Sequence, residues 1–169
     1  MLTVREAHPS DIGIITGIFD SARQFMAASG NATQWIDGYP TSEIVLQDIA
    51  NGNCYIVMQG ETIAGVFTFI VGREPNYDNI DGRWPDNKPY GTIHRLASAG
   101  IARGIADSAL DFCLKAGVSI RIDTHADNSP MLKWIESRGF RYCGIIKVEN
   151  GTPRMAFVLD HESAGPAFD

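Results

Sequence analysis

Ile93-His94-Arg95-Leu96-Ala97-Ser98 runs into Ala99-Gly100-Ile101-Ala102-Arg103-Gly104-Ile105-Ala106, and this stretch reads as a strand, a turn of small residues and the opening of a helix. Small residues at such a turn let a ligand approach the backbone closely. The first turn of a helix carries N–H groups without intrahelical partners and a partial positive charge, a combination suited to a pyrophosphate. Arg103 adds a cation able to make charge-assisted hydrogen bonds to the same anion. Ile101, Ala102, Arg103, Gly104, Ile105 and Ala106 are therefore the candidate phosphate-binding loop.

Working outward, the regular elements alternate. Towards the N-terminus, 2–7 reads as a strand, and Pro9-Ser10-Asp11 supplies capping chemistry for a helix over 12–28, where Ile14, Ile15, Ile18, Phe19, Ala22, Phe25 and Met26 form one apolar stripe. Gln34-Trp35 and Gly38-Tyr39-Pro40 make an aromatic loop before a second helix, capped by Thr41 or Ser42, through residue 49. Strands at 54–59 and 62–71 join at a hairpin around Gly60, and their near-continuous apolar character predicts two-sided burial. Residues 72–89 hold many turn formers and read as a long functional loop with room for a short helix. A strand at 90–98 is followed by a helix over 104–116, a strand at 118–125 and a helix over 129–138 stopped by Gly139. Strands at 140–149 and 154–159 close as a hairpin about Asn150-Gly151, and the tail from His161 is expected to fray. No repeat or linker interrupts the pattern, so 1–169 reads as a single domain.

The bulk properties exclude several functions. At 169 residues, with 44% apolar and 20% charged residues, the chain can bury a core. A net charge of −6 opposes non-specific nucleic-acid binding and leans towards a cationic small-molecule partner. Cys54, Cys113 and Cys143 lie far apart with no metal-ligand spacing, which predicts reduced, buried thiols and no metal site. The N-terminus reads as a strand rather than a signal peptide and no long apolar run is present, so a cytoplasmic protein without membrane attachment is expected.

The order of elements resembles the GNAT superfamily of acyl-CoA-dependent N-acetyltransferases. The coenzyme-A loop of that family is matched by Gly104-Ile105-Ala106, while Ile101 stands where Gln or Arg is usual and the charge is displaced to Arg103. Asn128, Glu136 and Gly139-Phe140 match a second family stretch, and the resemblance spans about 2–159. It implies an α/β fold of the α+β type: a mixed, mostly antiparallel central sheet with a bulged, splayed strand pair, flanked by helices on both faces. The splay would open a cleft for the pantetheine arm of acetyl-CoA. Leu96, Ala97 and Ser98 would line that cleft, with backbone donors of Leu96 and Ser98 polarising the thioester, and Asn128 would help hold the coenzyme. The implied reaction moves an acetyl group from acetyl-CoA, as cosubstrate, to the amine of a small molecule or peptide by direct attack in a ternary complex. Dimers are common among such folds.

Catalytic and acceptor residues follow from chemistry near the expected cleft. The family often has a Tyr before the helix Glu to protonate the departing thiolate; here that position is Ile135. His94 and His125 are the candidate substitutes, because imidazole titrates near neutral pH, with Asp123 and Asp127 flanking His125. Trp35, Tyr39, Tyr77, Trp84 and Tyr90 could cage an amine, and Glu74, Asp78 or Asp81 could pair with an ammonium. Aromatics that merely pin loops are an equal alternative. Two other functions stand beside the transferase. A dinucleotide site would use Asp123 as its ribose acid, but no GxGxxG is spelled out. A non-catalytic acyl-CoA-binding or sensor module is favoured by Ile101 and Ile135.

Overall fold

The computed structural model describes residues 1–161; the fraying expected from His161 onward lies, beyond that residue, outside the described residues. The strands are β1 (Leu2–Glu6), β2 (Cys54–Gln59), β3 (Thr62–Val71), β4 (Asp81–Gly82), β5 (Tyr90–Ser98), β6 (Ser119–Thr124), β7 (Arg141–Lys147) and β8 (Pro153–Leu159), and the α-helices are α1 (Ile12–Ala28), α2 (Ser42–Ala50), α3 (Ile105–Leu114) and α4 (Ser129–Ser137). The strands form one eight-stranded sheet in the order β1-β2-β3-β5-β6-β8-β7-β4. All neighbours are antiparallel except β5 and β6. That parallel pair requires a crossover, and α3 supplies it.

Alternation along the central strands places helices on both faces. Val57 and Phe67 pack in one core cluster with Ile105, Leu110 and Ile135 from α3 and α4. Their chain neighbours Ile56 and Val66 pack in another with Ile15, Ile18 and Phe19 from α1. A side-chain period of two makes these opposite faces of one sheet. The helix starts follow local chemistry: Thr41 caps α2 by accepting the Ile44 N–H at 3.3 Å, and Asn128 caps α4 by accepting the Met131 N–H at 3.3 Å. Gly104 precedes α3 in the left-handed region at φ +82°, which a side chain would strain.

The loop at 72–89 contains more than its turn formers predict. Pro75–Tyr77 is a 3₁₀ turn, and β4 adds two residues to the far sheet edge by pairing with Ile145 and Gly144 of β7. Two glycines permit that approach: a Cβ on Gly82 would lie 2.2 Å from the Cys143 carbonyl oxygen, and one on Gly144 would lie 2.2 Å from that of Asp81. Because the contact joins residues over sixty positions apart, no local pattern announces it. No helix among the described residues is long and apolar enough to cross a membrane.

Candidate active site

The parallel pair β5–β6 opens almost at once. Its register runs only through Tyr90–Ser119, Gly91–Ile120 and Thr92–Arg121. On its other side, β5 pairs Ala97 with Val66 and His94 with Thr68, so three steps on β5 match two on β3. The extra residue makes a bulge at Arg95, whose φ is +50°, and leaves Arg95 and Leu96 outside the ladder. Backbone groups there lie outside the β3 register on one side and beside the diverging β6 on the other, so they border the opening. The result is a cleft of about 520 Å³ between the strands, walled by residues of both sheet faces.

Arg95 is fixed in this strained conformation by a buried ion pair. Its Nε donates to Asp48 Oδ2 at 2.8 Å and an Nη donates to Asp48 Oδ1 at 2.9 Å, a bidentate arrangement. The other Nη donates to the Tyr39 hydroxyl at 2.9 Å, and Thr68 Oγ1 donates to Asp48 Oδ2 at 2.9 Å. The bulge is thereby tied to α2, to β3 and to the loop before α2. Neither Asp48 nor Arg95 was marked by the sequence, since an acid in a helix and a base in a strand carry no signal of their pairing.

His94 and Glu74 face each other inside the cleft, with His94 Nε2 3.2 Å from Glu74 Oε2 and both side chains mostly buried. The imidazole holds the Glu74 carboxyl below the usual glutamate range, against the opposing effect of burial. Glu74 is positioned by its backbone N–H, which donates to the Tyr90 hydroxyl at 2.7 Å, and by its Oε1, which accepts from the Asn76 N–H at 3.2 Å. Deeper in, the Tyr77 hydroxyl donates to Asp123 Oδ2 at 2.5 Å. Burial lifts Asp123 above the usual aspartate range, opposed by that hydrogen bond.

At the α4 end, Gln34 gathers the walls together. Its Oε1 accepts from Asn31 Nδ2, Thr124 Oγ1, the His125 N–H and Asn128 Nδ2 at 3.0–3.3 Å, while its carbonyl accepts from an Arg154 Nη at 2.9 Å. Nothing local marks Gln34 or Arg154 for this role, as with Asp48: partners of theirs are 90 to 120 residues away.

Several candidates thus converge and others separate. Trp35, Tyr39, Glu74, Tyr77, His94, Leu96 and Asn128 line the cleft. His125 does not. Its Nδ1 lies 3.0 Å from the Asp127 N–H and its Nε2 3.2 Å from Thr33 Oγ1. Trp84 and Tyr90 turn to a second cavity, where their rings stack against Arg121, and Asp78 is taken by Arg73. Both ends of the Asn128 amide are already used, by Met131 and Gln34. The loop at 99–104 lies beyond the cleft, with Ile101 and Arg103 exposed. The first helical bond of α3 runs from the Ser108 N–H to the Gly104 carbonyl, so the preceding amides lack intrahelical acceptors. Asp107, in that first turn, is engaged by Trp134 and Arg138.

Ile135 is fully buried in the core, and all three cysteines are buried, where desolvation pushes each thiol up, to about 12 for Cys54. Neither chemistry is available to the cleft from those positions. Among the described residues no three His, Cys, Asp or Glu side chains group as a metal site.

Comparison of the sequence with protein-family models and with curated proteins gives no match. Comparison with solved structures does. A GNAT-family acetyltransferase from Streptococcus agalactiae is 32% identical, covers 94% of this chain and 95% of its own, and superposes with a TM-score of 0.83. The chain belongs to the GNAT family of acetyltransferases. A GNAT-family acetyltransferase from Listeria monocytogenes shares the fold at TM-score 0.71 and 20% identity, covering 94% of each chain. The NatC complex bound to Gag peptide and CoA shares it at TM-score 0.60 and 14% identity, covering 94% of this chain and 98% of that one. The bulge at Arg95 and the splay beyond Thr92 are therefore features of an acyltransferase, and its fold is the mixed, mostly antiparallel sheet that the order of elements implied.

Proposed function

We propose that this acetyltransferase moves an acetyl group from acetyl-CoA to the amine of a cationic acceptor, and that the Glu74–His94 pair beside the β5 bulge is its proton-handling centre. The observation that carries this is their meeting, 3.2 Å apart, in the cleft that Leu96 also lines. Four carboxylates line the cleft (Asp37, Glu74, Asp123 and Glu149) against two guanidinium groups, Arg95 and Arg154, and Arg95 is already neutralised by Asp48. Such a lining favours an ammonium over an anionic acceptor. The Trp35 and Tyr39 rings, 6.3 Å apart and steeply inclined, supply apolar wall for its alkyl stem.

The acyl donor enters between β5 and β6. Amides at the start of α3, after Gly104, receive the diphosphate, which needs no side-chain anchor at Ile101. The N–H groups freed near Leu96, with Ser98 at the strand end, polarise the thioester carbonyl. Donors of this kind typically supply ~10²–10³ in rate. Asn128 acts by capping α4 and holding Gln34 rather than by gripping the coenzyme.

The acceptor ammonium loses a proton to His94, and the imidazolium formed is stabilised by ionised Glu74. The amine nitrogen attacks the thioester carbon, the C–S bond breaks, and one of the two protons then on nitrogen passes to solvent as the secondary amide forms. The thiolate leaves into solvent-accessible space and takes up a proton from water, since Ile135 offers none.

Glu74, whose carboxyl is held low, is a weak base but a firm anion, so it orients and supports the imidazole. The test is thiol release from acetyl-CoA across a panel of small amines and N-terminal peptides. His94→Ala should lower kcat/KM by ~10²–10⁴, with part of the loss restored by added imidazole and with acetyl-CoA affinity by calorimetry unchanged. Binding of acetyl-CoA without turnover on any amine would favour the sensor reading instead, and full activity of the variant would remove His94 from the mechanism.

A further inference from the structure

Arg121 lies on β6 two residues before Asp123, so both side chains leave the sheet on one face, yet they serve different cavities. Asp123 faces the acceptor cleft. Arg121 lines a separate cavity of about 410 Å³ beneath the loop that precedes β5, and Tyr77 is shared by both walls.

Only 6% of Arg121 is exposed. Its guanidinium carbon lies 3.9 Å from the centre of the Trp84 ring and 3.7 Å from that of Tyr90. Those contacts hold the cation without using its N–H donors, which lie in the guanidinium plane. Among the described residues the Arg121 side chain makes no hydrogen bond or ion pair, and its Nε is buried with no partner. Arg95 and Arg154, the other deeply placed guanidinium groups, are satisfied by Asp48 and by the carbonyls of Gln34 and Pro153. Desolvation works against the charge on Arg121 and outweighs the nearby groups that favour it, Asp86 among them, none of which bonds to it. A buried cation left in this way is a receptor for an anion.

The rest of the lining narrows the ligand. Arg73 is paired with Asp78, and Asp86 accepts the Lys88 backbone N–H at 2.9 Å. Three cations, Arg73, Lys88 and Arg121, therefore stand against two carboxylates, Asp78 and Asp86, an excess of one positive charge. A monoanion matches that excess, whereas a phosphate dianion overshoots it beside Asp86. A carboxylate also meets the planar edge of a guanidinium with two parallel hydrogen bonds. We propose that this second cavity is a binding site for a small organic monocarboxylate, which docks edge-on against Arg121 between Trp84 and Tyr90, with Lys88 at the mouth.

Titrating the full-length ¹⁵N-labelled protein with butyrate, at constant ionic strength set by chloride, tests this directly. The expected result is a saturable shift of one arginine Nε–H resonance, assigned by its loss in Arg121→Lys, together with a saturable change in tryptophan fluorescence. Lys88→Gln, at an exposed position, should weaken butyrate about twofold to fivefold, the effect of losing one rim charge. No saturable response in the native protein, or an equal response to chloride alone, overturns the site. A response to inorganic phosphate but not to butyrate overturns the assignment of the ligand as a carboxylate. Because the native titration needs no variant, a failure of Arg121→Lys to fold leaves the test intact.

Discussion

Replacing Asp48 with alanine removes the carboxylate that holds Arg95 in the bulge. The side chains of the pair are 10% and 12% exposed, so the guanidinium left behind has little access to water. Breaking a buried ion pair by deleting one partner costs about 3–5 kcal/mol, and the Thr68 hydroxyl loses its acceptor as well, adding about 1 kcal/mol. Domain stabilities are about 5–15 kcal/mol, so the variant would lose between about a quarter and all of its stability and melt roughly 10 °C or more lower. The functional loss should exceed what instability explains. With Arg95 released, its φ of +50° has no compensating contact, and the amide at Leu96 is no longer held towards the cleft. Urea denaturation followed by tryptophan fluorescence gives the first quantity, and thiol release at a temperature where the variant stays folded gives the second. The double variant Asp48→Leu with Arg95→Met, which removes both charges, should recover at least about 2 kcal/mol relative to the sum of the single changes. If Asp48→Ala lost under about 1 kcal/mol and kept full activity, the ion pair would not be what maintains the bulge.

Other expectations concern separate parts of the molecule. His125→Ala should leave kcat/KM within about twofold while costing about 1 kcal/mol from its two hydrogen bonds, because the ring braces Thr33 and Asp127 outside the cleft; a large fall in turnover with unchanged stability would restore His125 to the chemistry. Gly144→Ala should detach β4 from the sheet edge, since a Cβ would lie 2.2 Å from the Asp81 carbonyl oxygen, at a cost of about 1–3 kcal/mol. Hydrogen exchange should show faster exchange confined to 72–89 and the adjacent part of β7. Acid should destabilise the fold through Asp11, held low by its hydrogen bonds from Arg5, and through Glu74, held low by His94. Their contribution is present above the ordinary values of 3.8 and 4.5 and is lost as pH falls through the depressed native ones, whereas Asp123, lifted by burial, contributes in the opposite sense, losing its part as pH rises through its native value. Denaturation midpoints measured across this range should therefore fall more gently with acid in Arg5→Met than in the native protein.

Apart from β4, the sequence by itself determined the strands, the α-helices and their order. Apolar periodicity, the cap at Thr41 and the turn at Gly60 are local, since each depends on residues within a few positions, and all reappear in the structure. From that order the family and the sheet followed. Tertiary structure alone decided which of the chemically eligible residues share a space. His94 and His125 are equal in composition and near the same cleft by topology, yet one meets Glu74 across it and the other turns back to Asp127. Trp84 and Tyr90 look like acceptor walls in a loop rich in aromatics, but they stack on Arg121 because β6 brings that cation beneath them. Asp48, Gln34 and Arg154 carried no signal at all. Their partners lie on other strands, and a contact across many tens of residues is fixed by sheet pairing and register, quantities that no local pattern of side chains encodes.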